Sequence, residues 1–126
     1  GSFTVVKKNN INLGLAYEAI KVSSGNSFVN ETETKVILAG SYDVGFTMDL
    51  VNKDLKLFSK LGNKSNLELS NYLRKKFKLG MNLLGERSFS TSIIKLIEKD
   101  NNIKLRAKNF PKQLVDEQKK QKAIKL

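Results

Sequence analysis

The sequence predicts an α+β fold: an N-terminal antiparallel sheet of about four strands, then a mainly helical, basic C-terminal half. Three observations predict it. Apolar and polar residues alternate through residues 42–50, the apolar spacing becomes helical beyond about residue 51, and the charge divides near the same place. Residues 1–50 carry four basic side chains (Lys7, Lys8, Lys21, Lys35) against five acidic ones (Glu18, Glu31, Glu33, Asp43, Asp49). Residues 51–126 hold 19 of the 23 Lys+Arg and 7 of the 12 Asp+Glu. A chain of 126 residues is long enough for one domain and short for two.

The elements follow in order. Gly1-Ser2 reads as the remnant of a cleaved tag, which leaves open whether a signal or membrane anchor precedes Phe3. Phe3–Lys8 is a candidate strand. Ile11, Leu13, Leu15 and Tyr17 alternate with Asn12, Gly14 and Ala16, and the phase then shifts to Ile20 and Val22, suggesting a bulge near Glu18-Ala19. Ser23-Ser24-Gly25-Asn26 signals a turn. Lys35–Ala39 is a short β-branched run broken by Gly40-Ser41. Tyr42, Val44, Phe46, Met48 and Leu50 alternate with Asp43, Gly45, Thr47 and Asp49, the clearest period-two pattern present. Asp54–Leu61 fits either helix or strand. Ser65-Asn66-Leu67-Glu68 has capping-box spacing, and Leu69, Tyr72, Leu73 and Phe77 recur as on a helix over 66–79, with Gly80 at its C′ position. A second helix is expected over Ser90–Lys99. Ile103, Leu105 and Ala107 alternate with Lys104, Arg106 and Lys108 as a short strand. Pro111 suits the first turn of a helix capped by Asn109, continuing thinly over Gln113–Leu126. The neutral strand-rich part thus covers residues 3–51 and the basic helix-rich part residues 52–126, within one domain whose last residues fray.

Absence of Cys and His excludes disulfides, Cys/His zinc sites and histidine-based triads. No glycine-rich phosphate loop of the G-x-x-x-x-G-K or G-x-G-x-x-G type is present, and no apolar run is long enough for a transmembrane helix. No cofactor or metal is expected. Glu33-Thr34-Lys35 matches the E-x-K half of a metal-dependent nuclease signature, but no Asp at a strand end completes it. The sequons Asn30-Glu31-Thr32 and Asn63-Lys64-Ser65 are expected by chance in a chain so rich in Asn, Ser and Thr.

The basic half carries the functional signal. Arg74, Lys75, Lys76 and Lys78 are expected on the wet side of a helix that buries Leu69, Leu73 and Phe77. Lys104, Arg106 and Lys108 form a second row, and Lys119, Lys120, Lys122 and Lys125 a third. Each cluster alone is explained as a solvated face. The three together, unmatched by acids, point to a polyanion. Lysine outnumbers arginine 20 to 3, which suits phosphate better than base edges. Phe110, between Lys108 and Lys112, is the candidate stacking ring, with a hydrophobic staple onto the last helix as its plainer role. The expectation is a small non-enzymatic domain binding nucleic acid (DNA or RNA) through backbone phosphates, cytoplasmic or virion-associated. Two alternatives stand beside it: an assembly subunit of a phage, virus or secretion machine contacting an acidic protein, and an extracytoplasmic domain facing an anionic surface. A homo-oligomer is a further option.

Overall fold

A computed structural model describes residues 1–62, 65–117 and 119. Among them the chain is helical, with six α-helices, one 3-10 turn and two isolated bridges in place of a sheet. The helices are α1 (Ser2–Lys8), α2 (Leu13–Lys21), α3 (Phe28–Ala39), α4 (Met48–Leu61), α5 (Glu68–Leu84) and α6 (Ile94–Asn101), with the 3-10 turn Ser90–Ile93 leading into α6.

The α+β expectation is therefore corrected, and each strand fails for a local reason. Phe3–Lys8 lies in α1. In the next segment, Leu13 and Tyr17 are buried, four residues apart on one face of α2, so the alternation of Ile11, Leu13, Leu15 and Tyr17 was half of a helical pattern. Asn12 caps this helix, its Oδ1 accepting from the Leu15 N–H at 3.0 Å. Lys35–Ala39 is the last part of α3, which starts where Ser27 Oγ accepts from the Asn30 N–H. Gly40 ends α3 in the left-handed conformation, φ +81°. Residues 42–47 form no strand, with left-handed φ at Tyr42 (+56°) and Gly45 (+65°), and the chain turns into α4 at Met48. Its first N–H groups are satisfied by a neighbouring loop: Met48 N–H donates to Ser88 O at 2.8 Å and Asp49 N–H to Glu86 O at 3.0 Å.

The basic half also needs correction. Helix α5 begins at Glu68 behind Leu67 with no side-chain cap, so the capping box at Ser65 does not form. It runs through Gly80, which is buried within it. A Cβ there would meet Ile93 Cδ1 at 2.6 Å and Met48 Cε at 3.4 Å, so the glycine permits the close approach of α4, α5 and the 3-10 turn. Residues 103–108 form no strand, and residues 111–117 no helix. The rest of the expected last helix, residue 118 and residues 120–126, lies outside the described residues, as do Asn63 and Lys64.

Helices α1, α2, α3 and α6 surround a core of Leu13, Tyr17, Leu38 and Leu105, flanked by Phe3, Val6, Ile94, Ile103, Ala107 and Phe110. Helices α4 and α5 form an antiparallel hairpin beside it, with Asn52 Nδ2 donating to Phe77 O at 3.1 Å and Arg74 to Ser59 Oγ at 2.8 Å. Met48, fully buried at the start of α4, lies against Gly80 of α5.

A carboxylate joins the C-terminal segment to this core. Glu98 on α6, 2% exposed, accepts from the Leu105 N–H at 2.9 Å, from Arg106 at 3.3 Å and from the Tyr42 hydroxyl. Arg106 also donates to the Tyr42 hydroxyl oxygen at 2.7 Å, and Ala107 N–H donates to Leu38 O at 3.0 Å. Burial pushes the Tyr42 hydroxyl up to about 12, and the hydrogen bond to Glu98 adds to the rise. A tyrosine in an unfolded chain ionises near about 10. Because the folded-state value is the higher, the stabilisation is complete below about pH 10 and is lost as the pH rises through about 12. The thermal midpoint is expected to fall across that window, and Tyr42→Phe to fall less steeply. Parallel melts of the two proteins from pH 9 to 12 check this, and identical slopes would refute it.

Candidate anion-binding groove

The α4–α5 hairpin sets cations along one side. Asn52 and Lys56 are one turn apart on α4; Asn71, Arg74, Lys75 and Lys78 share a face of α5. Antiparallel pairing brings the two rows together around an open groove of about 630 Å³ floored by Met81. Among the described residues, four cations and two amides line it and no carboxylate does. Asn52 gives its amide N–H to Met48 O at 2.9 Å as well as to Phe77 O, so it holds the hairpin in register. The groove's donor set suits a phosphate-bearing anion.

The expected site residues are thus divided. Arg74, Lys75 and Lys78 come together, joined by Lys56. Lys76 turns away, its Nζ 5.7 Å from the centre of the Tyr72 ring. Arg106 and Lys108 line a second depression of about 570 Å³ with Lys7, Asn12 and Asn109, but the Arg106 guanidinium is engaged with Glu98 and Tyr42. Lys104 lies apart, near Lys95 and Lys99. Phe110 is no exposed platform: it is half-buried and meets Tyr17 edge-on, with ring centroids 5.3 Å apart. Of the third lysine row only Lys119 falls among the described residues. The apolar face of α5 is not buried as expected, since Leu69 and Tyr72 are 72% and 56% exposed.

Lys56 was missed by sequence reasoning. Its segment fitted either helix or strand, so its place one turn from Asn52 carried no weight. Glu33 and Lys35 do not converge: Glu33 lines an apolar cavity, while Lys35 pairs with Glu117 at 3.2 Å. Among the described residues no group of Asp and Glu could hold a metal ion, and no helix is long and apolar enough to cross a membrane.

A domain that is helical among its described residues, with a cationic groove that none of their carboxylates lines, is suited to an anionic ligand. The family model described as NAD-binding of NADP-dependent 3-hydroxyisobutyrate dehydrogenase matches residues 2–97 of the 126. The chain belongs to this family. No curated protein matches it. Membership overturns the expectation of a non-enzymatic nucleic-acid binder, and with it the assembly-module and anionic-surface alternatives. The family is one of dehydrogenases, and its ligand is a dinucleotide rather than DNA, RNA or an acidic protein. The physical reason is plain: basic charge reports phosphate and is blind to which molecule carries it.

Proposed function

We propose that this chain serves as a helical cofactor-facing domain in an NAD(P)-dependent dehydrogenase of small 3-hydroxy acids, and that the α4–α5 groove holds the phosphates of the dinucleotide. Family membership supports the first part, and the acid-free groove of Lys56, Arg74, Lys75 and Lys78 supports the second. The sequence has no glycine-rich loop to present backbone N–H groups to a pyrophosphate, so side-chain charge supplies the grip. When bound, the nicotinamide supplies the hydride acceptor for oxidation of the hydroxyl-bearing carbon. This chain's part is to bind and orient. Lys56, Lys75 and Lys78 act as point charges on the phosphates, Arg74 adds a fork held by Ser59, and Asn71 contributes amide donors. Four cations without a counter-acid favour the extra 2′-phosphate of NADP(H) over NAD(H). A cytoplasmic setting fits such an enzyme.

The test is a titration of NADPH, followed by its own fluorescence, into wild type and Lys75→Glu/Lys78→Glu. Two reversals are expected to weaken binding at least about tenfold, with a shallower salt dependence. Lys104→Glu, away from the groove, should leave it unchanged. Equal affinity in wild type and the double variant, or no binding to wild type at low salt, would defeat the proposal.

A further inference from the structure

A second cavity, of about 480 Å³, lies among α1, α3, α6 and the α4–α5 hairpin. Its walls are apolar, chiefly Phe46, Phe77, Ile37 and Ile97, and its volume is that of a small-molecule site. Glu33 is the one charged side chain among the described residues that line it; the N-terminal ammonium of Gly1 belongs to the lining too but makes no ion pair with Glu33. No hydrogen bond or ion pair to its carboxyl group is found among the described residues. Burial pushes that carboxyl above the usual carboxylate range, the mark of a charge losing water without gaining a partner. An unpaired carboxyl on an apolar wall is unusual in a chain of net charge +11, where cations able to pair an acid are plentiful.

We propose that this cavity binds a small amphipathic ammonium compound, its apolar body between Phe46, Phe77 and Ile97 and its cationic head against the Glu33 carboxylate. An ammonium group has three donors and no acceptor, which matches the two acceptor oxygens of a carboxylate set in an apolar wall. Pairing restores to Glu33 what burial removes. A hydroxy acid would instead bring a second carboxylate beside Glu33, so this site is separate from that of the proposed reaction and does not depend on the cofactor reading.

The test uses calorimetric titration of the full chain with phenylbutylammonium, phenylbutanol and phenylbutyrate, whose bodies are alike and whose heads are cationic, neutral and anionic. Phenylbutylammonium is expected to bind about tenfold tighter than phenylbutanol, and phenylbutyrate weakest. Glu33→Gln should reduce the ammonium compound to the affinity of the alcohol and leave the alcohol unaffected. Because the net charge of the chain repels cations, a preference for the ammonium head reports a local acid. An ammonium compound no tighter than the alcohol, a preference that survives Glu33→Gln, or no binding of any of the three would each overturn the proposal. The wild-type series decides even if the variant fails to fold.

Discussion

Glu98→Ala is expected to lower folding stability by about 3–5 kcal/mol, the range for removing one partner of a buried ion pair. Few residues here combine such burial with so many partners. The carboxylate is 2% exposed and receives the Leu105 N–H, the Arg106 guanidinium and the Tyr42 hydroxyl. Alanine would leave the Leu105 N–H without its acceptor and the guanidinium without its countercharge, besides opening a void under residues 103–107. Glu98→Gln keeps the shape and one acceptor oxygen, so its loss should be smaller, about 1–3 kcal/mol. Urea unfolding followed by circular dichroism measures both. An alanine variant within about 1 kcal/mol of wild type would show that this network does not hold the segment.

Met48→Ala is expected to cost about 2–5 kcal/mol, as for other large-to-small changes at fully buried sites. Met48 is 0% exposed and begins α4, where its side chain reaches towards Gly80 across the hairpin. Truncation leaves a void between α4, α5 and the 3-10 turn that rigid backbones cannot close. Because α4 carries Lys56, the loss should extend to phosphate binding measured near the unfolding midpoint. Leu61→Ala, at an 88% exposed position, should cost little by comparison. Equal losses at the two positions would mean that α4 is not anchored through Met48.

What the sequence showed of this molecule, and what it hid, follows from the range of each interaction. The helix expected over 66–79 overlaps α5, which starts two residues later, and the one over Ser90–Lys99 corresponds to the 3-10 turn and α6, because their apolar spacing is local. The sheet was inferred from alternation, and alternation deceived. Ile11 to Tyr17 can be read at period two, but only Leu13 and Tyr17 are buried, at helical spacing. Between Tyr42 and Leu50 the pattern crosses a helix start at Met48 whose cap comes from backbone 37 and 40 residues away, which no local window contains. Gly80 was taken for a helix end, yet its lack of a side chain serves an approach between helices. The basic cluster at Arg74–Lys78 was visible, and three of its four cations share the groove. Lys56, their companion from α4, required the hairpin to be known. Arg106 was read as part of a basic row because its acid, Glu98, is eight residues away across a turn.

Backbone amide chemical shifts recorded during titration with NADP+ test directly the proposal that the α4–α5 groove holds the dinucleotide. The largest shifts are expected on residues 52–56 and 71–78, and are expected to vanish in Lys75→Glu/Lys78→Glu. Shifts concentrated instead around Lys7, Arg106 and Lys108, or none at a saturating concentration, would contradict it.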